Sequence, residues 1–264
     1  AKGFLHQLVS SQLDMDRMDY LRRDSFFTGV SEGVISSERI LQMLNVLDDR
    51  LVVDAKGIYS IEKFIVARRL MYWQVYHHKT VIGAEQLLIR ILRRARECHA
   101  AGMDLFATPA LARFLASNHT IRDFEDDDTL LDDFARLDDF DIFTSIKVWT
   151  SHPDPLLAML SRRLVERRLL RTVICDKAPE EAMIGELRDK ACRRFSLRPD
   201  EGRYLVFSGE VNNSAYDPEG DHILILHRDG RATDIMDASE QISIPLLSHR
   251  ISKHYLCYPK ELDD

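Results

Sequence analysis

Apolar residues recur three and four positions apart through most of the first 170 residues, which predicts a helix-rich region. From Phe4 to Thr28 the stripe reads as one long helix, with Gly29 placed to end it in a left-handed turn. A short helix is expected over Ser37 to Leu47. Leu51-Val52-Val53 and Ile58-Tyr59-Ser60 flank Asp54-Ala55-Lys56-Gly57 and predict a small hairpin near 51–60. Helices are then expected over Ile61 to His78 and Ala84 to Ala101. Thr108-Pro109 and Asp154-Pro155 each pair an N-cap side chain with proline at the first helical position, so each starts a helix, the second running to about Leu170.

After Leu170 the pattern changes. Thr172 to Cys175, Tyr204 to Phe207, Ile223 to His227 and Tyr255 to Tyr258 read as strands, and Ala178 to Phe195 as a helix. The expected fold is mainly α, with a helical region over 1–170 and a small α+β lobe over 171–264.

Composition narrows the function classes. The 264 residues carry a formal net charge of -7, so the molecule as a whole does not attract nucleic acid, and none is expected as a partner. The four cysteines form no CxxC pair, which fits reduced, buried thiols in a cytoplasmic protein. No apolar run approaches the ~20 residues that span a bilayer, so no membrane is expected. There is no signal peptide, and the natural protein is expected to begin before Ala1.

Four groups of residues could carry chemistry. Asp16, Tyr20 and Asp24 recur every four residues and line one face of a helix, flanked by Arg17 and Arg23. A carboxylate there suits a hard or borderline divalent cation, the arginines a phosphate, and the phenol a phosphate or sugar oxygen. On spacing alone the same row fits a solvated face with i,i+3 and i,i+4 ion pairs. The second group runs from Arg68-Arg69 to Tyr76-His77-His78-Lys79 and suits a polyphosphate with a base or sugar; it also fits core aromatics beside surface cations. The third is the acidic stretch from Asp123 to Asp141, where Leu130, Leu131, Phe134, Leu137 and Phe140 supply a helical core stripe. The fourth is Arg162, Arg163, Arg167, Arg168 and Arg171, expected on one helix that could bind a nucleotide or nucleic acid or be an ordinary solvated face. The loop Asp217 to Asp221 lacks the full calcium-loop pattern.

The stretch Gln12-Leu13-Asp14-Met15-Asp16-Arg17-Met18-Asp19-Tyr20-Leu21 with Arg23-Asp24 and Thr28-Gly29-Val30, followed by Arg68 through Tyr76-His77-His78-Lys79, resembles the HD superfamily, in particular its deoxynucleoside triphosphate triphosphohydrolase branch. The resemblance runs over nearly the whole chain. It implies a helical HD-type domain followed by a small α+β lobe, and a divalent metal (Mg, Mn, Fe, Ni or Zn) held by two histidines and two aspartates. Asp16 matches the last of those aspartates and so the catalytic and metal position. Arg17 and Tyr20 match contacts to substrate phosphate and sugar, Asp24 a position near the sugar, and Arg68, Tyr76, His78 and Lys79 the nucleotide-facing wall. The implied reaction is attack of a metal-activated water on phosphorus, releasing nucleoside and triphosphate. A homo-oligomer is implied as well.

One departure is large. The chain has no His-Asp dipeptide, and His6 is the sole histidine before Asp16. The sequence therefore reads as the C-terminal part of an HD protein, and this chain alone is expected not to hydrolyse nucleotides. The competing expectation is a non-catalytic nucleotide-binding or assembly module.

Overall fold

A computed structural model describes residues 2–239 and 249–263. Among the described residues the fold is mainly helical, with two small sheets. Along the chain it runs as expected, helices first and a mixture of strands and helices after about residue 170. In space it divides differently. One compact unit takes in the described residues up to His78 and those of Glu210–Lys253, the other Lys79–Gly209 with the described residues of His254–Asp264. The expected boundary at 170 falls inside the second unit, because strand pairing over long sequence separations, which periodicity does not encode, sends each late strand to its own partner.

In the first unit the expected long helix is two: α1 (Gly3–Val9) and α2 (Met15–Thr28). Asp14 breaks it. Its Oδ1 accepts from Arg17 N at 2.7 Å as an N-cap, and its Oδ2 accepts from Ser11 N at 3.1 Å. Buried Gln12 pins the break, donating from Nε2 to the carbonyls of Asp217 and Asp221 and accepting from Asp217 N, all at 2.7 Å. Gly29 closes α2 at φ 71, as expected.

The helix expected to reach Leu47 stops early, as α3 (Ser37–Met43). The hairpin is β1 (Leu44–Leu47) with β2 (Arg50–Asp54), not 51–60. Asp48 and Asp49 take left-handed φ values of 48° and 60°, which suit a two-residue turn, and aspartate tolerates that region. Ile58 to Ser60 instead opens α4 (Ile58–Met71), which passes into a π-helical turn over Tyr72–Tyr76. β2 pairs in parallel with β5 (Leu224–Leu226), and β5 antiparallel with β6 (Ala232–Asp234). The core beneath this sheet joins Leu21, Ile40, Phe64, Ile65 and Met71 to Tyr216, Ile225 and Ile235.

In the second unit α5 (Lys79–Ala100) lies against α6 (Pro109–Ala116), α10 (Pro155–Val165) and β3 (Arg171–Cys175). Thr108 and Asp154 cap α6 and α10 with proline behind them, as expected. Between lie α7 (Ile121–Asp126), α8 (Asp128–Arg136) and α9 (Asp139–Trp149). Here the acids cap and pair: Asp123 and Asp138 take part in capping boxes, and Asp127 and Asp133 both meet Arg113. Of the expected stripe Leu130 is buried, whereas Leu131, Phe134 and Phe140 are exposed.

The five arginines of the fourth group do not share a helix. α10 ends at Val165, Arg167 turns left-handed, and Arg171 belongs to β3. Arg163 pairs with Glu261, Arg168 with Glu166 and Arg171 with Asp263. After β3 come α11 (Glu181–Phe195), a 3-10 turn over Pro199–Tyr204, and β4 (Phe207–Asn213); the strand expected from Tyr204 starts later because that turn occupies its place. β7 (Ile251–Tyr258) lies between β3 and β4.

Candidate functional site

The candidate site lies in the first unit, where α2 meets α4 and its π-helical extension. α2 turns Met18, Leu21 and Ser25 inward and leaves Arg17, Tyr20 and Asp24 half-buried at the margin of that seam. On the other element Arg68, Tyr72 and Tyr76 follow one another at intervals of four and share a face. π-helical turns of this kind recur at functional sites, since the extra residue in the turn re-aims side chains.

Tyr76 donates from its hydroxyl to Asp24 Oδ2 at 2.8 Å. The rings of Tyr20 and Tyr76 meet edge to face, 5.7 Å between centroids, and Tyr72 meets Tyr76 the same way at 5.1 Å. The Arg68 guanidinium stands 5.9 Å from the Tyr72 ring centroid. Arg17 reaches back to Asp14 at 3.4 Å. In both Arg17 and Arg68 the Nε is buried and, among the described residues, has no hydrogen-bond partner. Two guanidiniums thus converge on a group of phenols with donor capacity unspent.

Burial pushes the Tyr20 phenol up to about 12, with Tyr72 adding to the effect and Arg68 and Arg17 opposing it. Burial and the hydrogen bond to Asp24 push the Tyr76 phenol up as well. Both hydroxyls, protonated at neutral pH as any tyrosine is, thus hold their protons further into alkali, and Tyr76 donates its own to Asp24.

Of the residues singled out in the sequence, Arg17, Tyr20, Asp24, Arg68 and Tyr76 come together here. Asp16 sits exposed in the first turn of α2. His78 is exposed beyond the π-helical turn, and Lys79 opens α5 in the other unit. Tyr72 belongs to the cluster although the sequence pattern points only to its neighbours; its position midway between Arg68 and Tyr76 is the signal that marks it.

Metal chemistry asks for more than one carboxylate. Among the described residues no group of three or more His, Cys, Asp or Glu side chains is arranged to hold a cation, so the residues present do not by themselves fit the implied metal. The acids of the Asp217 loop serve the loop, Asp217 accepting from Glu219 N at 3.0 Å. Among the described residues no helix is long and apolar enough to cross a membrane.

Residues 35–113 match the family described as the HD associated region. The chain is 33% identical to the uncharacterized protein YwfO of Bacillus subtilis, over 97% of this chain and 57% of that protein. It is 31% identical to a deoxynucleoside triphosphate triphosphohydrolase SAMHD1 homolog of Dictyostelium discoideum, over 30% of this chain and 16% of that protein. A crystal structure of a phosphohydrolase from Bacteroides thetaiotaomicron superposes with a TM-score of 0.88 at 47% identity, covering 97% of this chain and 64% of that one. The chain therefore spans less than two thirds of the length of these proteins. Residues 35–113 are thus similar to the HD associated region, and the chain's fold is similar to that of a phosphohydrolase.

Proposed function

We propose that the intact protein is a metal-dependent HD-type phosphohydrolase acting on nucleotides, of the deoxynucleoside triphosphate triphosphohydrolase kind, and that this chain supplies one wall of its nucleotide pocket. The reading rests on Arg17 and Arg68, whose charges both act on the Tyr20 phenol and whose buried Nε atoms have no hydrogen-bond partner among the described residues, beside the hydroxyls of Tyr20 and Tyr76. Guanidinium forks suit phosphate oxygens, and neutral phenols suit sugar hydroxyls and phosphate oxygens without adding negative charge.

In this reading Arg17 and Arg68 hold the phosphate chain. Tyr20 donates to a phosphate or sugar oxygen. Tyr76, whose proton is committed to Asp24, presents its ring edge and fixes the position of Asp24 near the sugar. His78 and Lys79 extend the nucleotide-facing wall. Asp16 is one ligand of a divalent metal whose other ligands come from the rest of the intact protein. A bound metal would act as Lewis acid and template. A homo-oligomer accompanies the reading, to be checked by light scattering.

The lack of a metal-ligand group among the described residues favours a second reading, a nucleotide-binding or assembly module without turnover. One experiment separates the two. The intact protein, supplied with Mg, Mn, Fe, Ni or Zn in turn, is incubated with each deoxynucleoside triphosphate, and nucleoside and triphosphate are resolved by ion-exchange chromatography. Release of both products, lost in Asp16→Asn and reduced in Arg68→Ala, supports the enzyme. Nucleotide binding with no products under any metal supports the module. The 264-residue chain alone is expected to give no products.

A further inference from the structure

The second unit holds a cavity of its own. α5 turns Leu87, Ile91, Ala95 and Cys98 into the core and carries Arg90, Arg93, Arg96 and Glu97 on a different face. These four, with Glu181 and Arg188 of α11, Arg203 and Tyr204 of the 3-10 turn and the start of β4, line a space of about 610 Å³. That is the size of a small-molecule site. Five arginines face two glutamates there, in a chain whose net charge is -7.

Most of these arginines are not spent on carboxylates. Arg203 pairs with Glu97 at 3.1 Å. Arg90 is 9% exposed, with its guanidinium carbon 3.1 Å from the Phe207 ring centroid; among the described residues its Nη1 donates to the neutral carbonyl and side-chain oxygen of Gln86 and to no carboxylate. Arg188 donates to the Val206 carbonyl at 3.1 Å, and Arg96 to Asn118 Oδ1 at 2.6 Å. Among the described residues Arg90, Arg93, Arg96 and Arg188 make no ion pair. Burial without a carboxylate pulls the Arg90 guanidinium down to about 10, Tyr255 and Cys257 partly offsetting it.

Arg94, on the same helix, supplies the contrast. It is also buried, yet Asp154, Glu97 and Glu201 all meet it. Where a buried guanidinium is structural, this unit neutralises it. A buried or crowded cation left without a counter-ion is costly, and an incoming anion offsets that cost.

We propose that this cavity binds a small polyphosphate anion, held by Arg90, Arg93, Arg96 and Arg188. Arg90 is preorganised by its stacking on Phe207, and the fork geometry of the others suits several phosphate oxygens at once. Glu97 and Glu181 interrupt the positive lining, which suits a compact anion rather than a continuous nucleic-acid backbone. The polyphosphate can arrive free or as the tail of a nucleotide.

The test is calorimetric titration of the chain with tripolyphosphate and, separately, ATP, at physiological ionic strength. The Arg93→Gln/Arg188→Gln variant changes residues away from the Phe207 stack, and its fold is verified by circular dichroism. Its Kd for tripolyphosphate is expected to rise about tenfold or more. Arg68→Ala is expected to leave that binding event unchanged, which separates this cavity from the candidate nucleotide pocket. Weakening of both ligands by the double variant assigns the shared polyphosphate as the determinant; weakening of tripolyphosphate alone assigns the free anion. An isotherm for the double variant identical to that of the parent overturns the proposal. So does tripolyphosphate binding that vanishes only in Arg68→Ala, or a single-stranded RNA that binds this face more tightly than tripolyphosphate and is lost in the same double variant.

Discussion

Tyr76 donates its hydroxyl proton to Asp24 Oδ2 at 2.8 Å, across 52 residues of sequence. The bond ties the π-helical turn to α2 and decides where both side chains of the candidate pocket stand. Tyr76→Phe removes the donor and leaves the ring. It should destabilise the protein by about 1–2 kcal/mol, in the range of a partly buried hydrogen bond to a charged group. Asp24→Asn should cost a similar amount, and the double variant less than the sum of the two. Urea unfolding of the four proteins measures the coupling.

The high-lying phenol of Tyr20 makes a prediction in alkali. A folded-state pKa of about 12 lies above the ordinary value of 10, so the native state holds this proton more tightly than the unfolded chain does. The stability that follows is complete below about pH 10 and is lost as pH rises through about 12. Absorbance titration of tyrosinate should show a late phase that is smaller by one tyrosine in Tyr20→Phe. The same variant should unfold over a flatter pH profile in that window.

Gly33 sets how closely α2 and α4 approach. A Cβ there would stand 2.6 Å from Met71 Sδ and 2.8 Å from Ser25 Cβ, and Met71 is fully buried. Gly33→Ala should cost about 1–3 kcal/mol by overpacking. Combining it with Met71→Ala should cost less than the two single losses added together, because each relieves the other. Thermal and urea melts test this.

In the second unit, Asp154 joins Arg94 through Oδ1 at 3.0 Å and Oδ2 at 2.5 Å and caps α10 at Leu157 N. Burial alone would raise its pKa, but the hydrogen bonds from Arg94 and Leu157 and the charges of Arg94 and His152 outweigh it and hold the carboxyl below its usual range. Its contribution is therefore present at neutral pH and lost as pH falls through that depressed value. Asp154→Ala should cost about 3–5 kcal/mol by leaving a buried guanidinium poorly compensated. Arg94→Met/Asp154→Leu should cost less than Asp154→Ala does. Urea midpoints at neutral and acid pH decide both points.

Local chemistry makes several elements legible from the residues alone. Thr108 and Asp154 cap α6 and α10 because a side-chain oxygen next to proline can do little else at a helix start. Gly29 ends α2 for an equally local reason. The hairpin lies earlier than expected because alternation from Leu51 onward looks the same whether its partner strand precedes or follows. Asp48 and Asp49 choose the earlier partner through a turn that depends on both strands. The break before Asp14 is hidden in the sequence because Gln12 is held by a loop some two hundred residues later.

The helix-rich first part, the caps and the row Asp16-Tyr20-Asp24 on α2 follow from the residues alone, since each depends only on spacing or capping chemistry along one element. The tertiary fold brings Tyr20 and Asp24 against Tyr76, commits Tyr76 to Asp24, and leaves the buried Nε of Arg17 and that of Arg68 each without a hydrogen-bond partner among the described residues. It also decided which cations are neutralised. Arg90 and Arg94 are indistinguishable as letters four apart on one helix, yet Arg94 faces Asp154 and Arg90 an aromatic ring. Charge compensation is a matter of distance in space, and periodicity along a chain carries no record of it.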